Sequence, residues 1–291
     1  MAFAAGIDDL SPRYLDTSAP GGVVAHPLFP VCIEWPVVTA ARRLVSEDVL
    51  SREEAARGVH ATHHLEIERL VHPGDRLTTV ATVVGVEPRR PGAFQTLRLT
   101  TTDADGELVC VTHMGSLFLG VEVDGDARPS PGPEPGKGPD AVPTGSPSDH
   151  EVRATRAVAG NAAFVYTECA RIWNPIHTDL QVAITAGLRR PILHGTATLA
   201  MAVTEIVAGR AASTPEAVRT ISGRFGAMVE TPSSISVLHA VAARDHEADR
   251  PGGTTNMPAR PGGVDFRVRN EAGGHAIRDG VVTLRTEMTT S

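Results

Sequence analysis

Asn174-Pro175-Ile176-His177-Thr178-Asp179, followed by Pro191-Ile192-Leu193-His194-Gly195-Thr196, is the stretch on which the reading of this chain turns. Proline sets its own φ and restricts the residue before it, so His177 follows a fixed turn. The second step, His194-Gly195, opens a run that reads as a helix from Leu193 to Val207. A helix start leaves backbone N–H groups without carbonyl partners. A histidine beside such a start places a base that titrates near neutral pH next to a natural oxyanion donor.

Outward from this stretch, strands dominate. Ile221 to Val229 is strand-like, Glu230-Thr231-Pro232-Ser233 turns, and Ile235 to Ala243 is again a strand. Val264 to Val268 and Ala276 to Leu284 pair across Asn270-Glu271-Ala272-Gly273-Gly274. The polar, Gly- and Pro-rich Arg244 to Gly263 reads as a long surface loop.

The first half repeats the order. Pro36 to Gly58 reads as a helix with Val37, Ala40, Ala41, Leu44 and Leu50 apolar. Leu65-Glu66-Ile67-Glu68 alternates, His72-Pro73-Gly74-Asp75 turns the chain, and Leu77 to Val86 is a β-branched strand. Phe94 to Thr101 and Leu108 to Phe118 form a pair across Asp103-Ala104-Asp105-Gly106. One helix and an antiparallel set of strands, occurring twice, predict two α+β units. Between them, Gly125–Ser148 holds seven of the 22 prolines and five glycines and has too little apolar content for a core. The expected division is therefore a first repeat over 1–124, a linker over 125–148, and a second repeat over 149–291.

Composition narrows the function. A formal charge of −7 with no basic tract argues against nucleic acid. No apolar run approaches the roughly 18 residues that span a bilayer, and Met1 to Leu10 lacks the basic and apolar regions of a secretion signal. Cys32, Cys110 and Cys169 suggest neither a disulfide framework nor a metal set, and a reducing cytoplasm fits them. His60, His63 and His64 are a weak metal pattern, better read as a surface turn before a strand.

Tyr166, Asn174, Pro175, Ile176, His177, Asp179, Ala183, Gly187, Pro191, Ile192, His194 and Gly195 stand at the spacing of a known signature. In them the chain resembles the MaoC-like (R)-specific enoyl-thioester hydratases and dehydratases. The first half resembles the degenerate repeat that partners such a domain. The resemblance implies a double hotdog, two antiparallel sheets each wrapping a long helix, and commonly a homodimer. It departs from the family at Arg171-Ile172, where the family has glycine-aspartate. That aspartate is half of the family's acid/base pair, and Ile172 can neither take nor give a proton.

The resemblance assigns a hydro-lyase acting on an acyl thioester of coenzyme A or a carrier protein, hydrating an enoyl group or dehydrating a 3-hydroxyacyl group. It calls for no metal and no cofactor. His177 is the candidate base. Asn174 either orients water or the thioester through its amide, or serves only to start the turn. Gly195 either donates its N–H to an oxyanion or makes a plain tight turn. Glu168, one helical turn before Ile172, either replaces the missing acid or is a solvated surface residue. Tyr166 and Ile172 are expected to line the substrate. Arg189 and Arg190 either meet the phosphates of a coenzyme A or pantetheine arm or carry ordinary surface charge. His194 is expected to hold the turn, and Asp179 to cap the next helix. Two rivals remain open: a base-catalysed reaction such as cyclisation of a specialised intermediate, and a non-catalytic acyl-binding or scaffold subunit.

Overall fold

The structure is a computed structural model in which residues 1–135, 151–209, 214–240 and 263–285 are described. Two short helices, α1 (Ala2–Ala5) and α2 (Pro12–Leu15), precede the long helix α3 (Pro30–Leu44) and the short α4 (Arg52–Ala56). Strands β1 (Gly58–Ile67), β2 (Thr78–Arg89), β3 (Gly92–Thr102) and β4 (Leu108–Leu119) complete the first repeat. The second contains β5 (Glu151–Val158), helices α5 (Ala162–Ala170), α6 (Leu180–Thr185) and α7 (Gly195–Ala208), and strands β6 (Val218–Phe225), β7 (Ser233–Ala240), β8 (Gly263–Asn270) and β9 (His275–Leu284). It is an α+β fold.

Turn chemistry sets the hairpins. Asp103 Oδ1 accepts from the N–H groups of Asp105 (3.1 Å) and Glu107 (3.0 Å), and Gly106 takes a φ of 85° that a side chain disfavours. Arg69 spans the β1–β2 and β3–β4 turns, donating to Asp75 (2.7 Å) and Asp103 (3.0 Å). In the other repeat, Asn270 Oδ1 accepts from Gly274 N–H at 2.8 Å and closes the β8–β9 turn.

The strands form one antiparallel nine-stranded sheet in the order β2-β3-β4-β1-β6-β9-β8-β7-β5. Each repeat contributes the same order outward from the centre, β1-β4-β3-β2 on one side and β6-β9-β8-β7 on the other. The repeats are sewn together where β1 pairs with β6, from Thr62↔Arg224 to Glu66↔Thr220. Their two sheets are thus one continuous surface. Helix α7 lies within the main core, with nine of its 14 residues buried. Helix α3 lays Val38 on Leu97, Leu99 and Met114 in a smaller cluster of its own.

Several expectations need correction. The first-half helix does not run from Pro36 to Gly58. It starts at Pro30, because proline at the first helical position loses no hydrogen bond, and it stops at Leu44. Ser51 then begins α4 with a capping box: its hydroxyl accepts from Glu54 N–H (3.2 Å) while the Glu54 carboxylate accepts from Ser51 N–H (2.9 Å). Gly58 already belongs to β1. His60, His63 and His64 lie in β1 and not in a surface turn, and His63 is buried. Strand β6 ends at Phe225, short of Val229.

Residues 125–135 of the linker return to the first repeat. Arg128 and Val86 exchange backbone hydrogen bonds at 2.7 and 2.8 Å, and Glu134 accepts two bonds from Arg89, both 2.6 Å. The rest of the linker and nearly all of the Arg244–Gly263 stretch lie outside the described residues. The amino-terminal residues pack on the second repeat. Phe3 meets the Tyr166 ring at 5.8 Å, Arg156 donates to Ile7 O (2.9 Å), and Thr204 donates to Asp9 (2.7 Å).

Candidate active site

Helix α5 ends on Arg171, which adopts the left-handed region (φ 57°, ψ 35°), where glycine would be unstrained. This reversal sends Ile172 inward, where it joins the main core at 5% exposure. Asn174 then caps a single 3-10 turn, Pro175–His177, with its Oδ1 a long 3.5 Å from Ile176 N. Asp179 caps α6, accepting from Val182 N–H at 3.0 Å. The chain returns through Leu193, whose N–H donates to Val229 O at 2.8 Å, and His194 becomes the N-cap of α7.

These turns bring His177 onto the start of α7. Its ring stacks on that of His194, with centroids 3.6 Å apart and planes 23° apart. Nδ1 of His177 lies 2.8 Å from Ile192 O. A carbonyl only accepts, so Nδ1 carries the proton and Nε2 keeps its lone pair. Burial pushes the His177 pKa down from 6.5 to about 4, partly offset by that bond. The ring is therefore neutral near neutral pH, with its acceptor lone pair on Nε2.

His194 is held similarly. Its Nε2 donates to Ile172 O at 3.1 Å, with Thr167 Oγ1 at 3.4 Å, and its Nδ1 is buried with no partner among the described residues. Burial, then its His177 neighbour, lowers its pKa to about 3, against the raising effect of Ile172 O. Ile172 thus anchors the His194 ring through its backbone carbonyl.

Gly195 is the first residue of α7, so its N–H has no carbonyl in a preceding turn. A Cβ there would lie 3.0 Å from the Phe225 ring. His194 joins the two elements, following Ile192 by two residues and preceding Gly195 by one. His177 thus stacks on the residue that immediately precedes Gly195.

The other candidates are placed differently. Tyr166 is fully buried and donates to Thr196 Oγ1 at 3.0 Å, packed beside the His194 ring at 4.9 Å. Glu168 is exposed, its Oε1 accepting from Trp173 Nε1 at 3.3 Å. Arg189 and Arg190 are exposed in the segment leading to α7, with Arg190 3.4 Å from Glu230. Sequence reasoning did not foresee the Ile192 carbonyl that fixes the His177 tautomer, nor Phe225 against Gly195. Both contacts depend on tertiary return of the chain, which no local spacing records. Among the described residues no group of three or more His, Cys, Asp or Glu is arranged to hold a metal.

Fold and site together define a double-hotdog protein with two stacked histidines at a helix start. Residues 142–257 match the MaoC like domain, and residues 1–112 match the FAS1-like dehydratase domain region. The chain thus carries a MaoC-like dehydratase domain and a FAS1-like dehydratase region. It is 25% identical over 248 residues to enoyl-CoA hydratase ChsH3 of Mycobacterium tuberculosis, covering 81% of this chain and 79% of that protein. Among solved structures, a MaoC-like dehydratase from Phytophthora capsici superposes with a TM-score of 0.77 at 19% identity, covering 100% of this chain and 92% of the other. A Mycobacterium tuberculosis protein described as a double hotdog fold superposes with a TM-score of 0.56 at 16% identity, covering 97% and 89%.

Proposed function

We propose that this protein is a hydro-lyase that adds water to an enoyl thioester, or removes it from a 3-hydroxyacyl thioester, using His177 as its base. The observation that carries the reading is the 2.8 Å bond from His177 Nδ1 to Ile192 O, which leaves Nε2 free to accept a proton. In hydration, Nε2 takes a proton from water as its oxygen bonds to C3. Negative charge moves to the thioester oxygen, where the Gly195 N–H stabilises it. The imidazolium then returns one proton to C2. One proton leaves water and one arrives at carbon, so the balance closes on a single histidine. Burial makes that imidazolium a stronger acid than usual, which favours the second transfer.

This route accommodates Ile172. A separate acid typically contributes about 10²- to 10⁴-fold, and its absence predicts a slower enzyme than relatives that hold a carboxylate. Glu168, already engaged by Trp173, is less suited to supply it than the returning proton on His177. Asn174 orients the attacking water. Tyr166 supports the His194 ring, and the Ile172 side chain adds an apolar surface behind it. Arg189 and Arg190 meet the phosphates of coenzyme A or of a carrier's pantetheine arm. The protein acts as a homodimer in the cytoplasm, a compartment in which its three free cysteines stay reduced.

The test is turnover of trans-2-enoyl-CoA by the purified chain, followed by loss of the conjugated-enoyl absorbance. The expected product is 3-hydroxyacyl-CoA, with kcat falling about 10²-fold or more in His177→Ala. Unchanged turnover in that variant contradicts the assignment. The apolar Ile172 favours one alternative, in which a hydroxyl of the substrate replaces water in the conjugate addition and closes a ring. That reading predicts no turnover of simple enoyl thioesters.

A further inference from the structure

Strand β1 contains an irregularity that places two histidines where alternation would separate them. His60 pairs with Ser116 and His63 pairs with Met114, with a register shift between His60 and Thr62. Ser116 and Met114 are two residues apart on β4 and so share a face. Paired residues also share a face, so the bulge turns both His60 and His63 to that side. It is the side covered by helices: Thr112, on the same face, donates to Glu34 of α3 at 2.5 Å. The residue opposite His63 on β6 is Gly223, which brings no side chain and whose Cβ position lies 3.8 Å from Leu199 of α7.

This pair adjoins the start of α7. The His60 ring lies 5.5 Å from that of His63 and 4.6 Å from that of Phe225. Phe225 in turn is the residue that a Cβ on Gly195 would touch. His60 Nε2 donates to Thr62 O at 3.1 Å, which leaves Nδ1 as an acceptor. His63 is only 1% exposed, and neither of its ring nitrogens has a hydrogen-bond partner among the described residues. Buried polar groups without partners are rare, because desolvation is not repaid. A neutral imidazole offers one N–H and one lone pair. An aliphatic hydroxyl, donor and acceptor at one atom, complements both, whereas a carboxylate would need the protonated ring that this apolar setting opposes.

We propose that His60 and His63 form a hydrogen-bonding subsite for a hydroxyl group carried on the acyl chain, distal to the thioester. This rests on the acyl-thioester reading above and narrows its substrate class to hydroxylated acyl groups. The amino-terminal repeat then selects the substrate and the second repeat transforms it.

The experiment uses the full chain and a ladder of trans-2-enoyl-CoA thioesters of stepwise length, each with a methyl or a hydroxyl terminus. Binding of the saturated counterparts is measured in parallel by calorimetry. At one chain length the hydroxyl form is expected to show kcat/KM and affinity about tenfold higher, the gain of one well-placed hydrogen bond. In His63→Leu that ratio falls to near unity. If His63→Leu does not fold, His60→Leu, at a partly exposed position, is expected to reduce the ratio. Hydroxyl-dependent binding without any hydration supports the subsite while removing the hydratase reading. Hydration with no hydroxyl preference at any length overturns the subsite and leaves that reading intact.

Discussion

Helices α3 and α7 hold the same place in their repeats, yet they begin and pack differently. Helix α7 starts on Gly195 behind a histidine cap and buries nine of 14 residues. Helix α3 starts on Pro30 behind Phe29, carries Pro36 within it, and buries four of 15. Proline has no N–H, so the first residue of α3 cannot donate to an oxyanion as Gly195 can. The buried ionisable groups differ as well. The first helix encloses Glu34, whereas the second has His177 and His194 stacked at its mouth. One element order thus carries two different helix starts.

Giving the second repeat the start of the first is the sharpest way to break this comparison. In Gly195→Pro the donor is lost while the first helical position still tolerates proline. His194 is already extended (φ −60°, ψ 139°), as a residue before proline requires. The expected loss in hydration kcat is about 10²- to 10³-fold. Gly195→Ala retains the N–H but adds the Cβ that meets Phe225, so its loss should be nearer tenfold, by displacement of the helix start. Equal losses in the two variants would remove the amide from the account.

Stability against pH compares the repeats in another way. Burial raises the Glu34 pKa from 4.5 to about 7, with the Thr112 bond opposing. Its folded state holds the proton more tightly, so this contribution is full below 4.5 and is lost as pH rises through 7. His177 and His194 behave oppositely: their contribution is full above 6.5 and is lost as pH falls toward about 4 and 3. Glu34→Gln should therefore be more stable than the parent in mildly alkaline buffer, by at most about 3 kcal/mol, with the advantage vanishing in acid. Chemical denaturation across pH measures this, and an unchanged pH slope would contradict it.

Ile172→Asp introduces a carboxylate at the position where the resemblance implies one. It should raise hydration kcat by about tenfold, the low side of what a positioned acid supplies. It should also cost about 2 kcal/mol of stability, from apolar burial lost at a 5% exposed position. A stable variant with no gain in rate would show that the single-histidine route has no use for a carboxylate there. The smallest effect is expected for Glu168→Gln, less than about twofold in kcat, because an exposed carboxylate bonded to Trp173 does not meet the proton in transit.

Much of this was legible in the sequence because it is local. Alternation and turn residues such as Asp103 and Asn270 predict the hairpins, and the spacing from Tyr166 to Gly195 carries the family likeness. What stayed hidden depends on distance along the chain. Pro36 reads as a helix boundary, whereas Pro30 is the first residue of α3 and Pro36 lies within it. The shared face of His60 and His63 arises from a bulge that no alternation pattern reveals. The tautomer of His177 is fixed by Ile192, 15 residues away, through a carbonyl that carries no side-chain signature.

The central claim is that His177 rests neutral with its lone pair on Nε2. Nitrogen NMR of the histidine rings in the full chain, with His177 assigned by its absence in His177→Gln, measures this directly. A neutral ring protonated on Nδ1 is expected at neutral pH. A cationic ring, or a proton on Nε2, would contradict it.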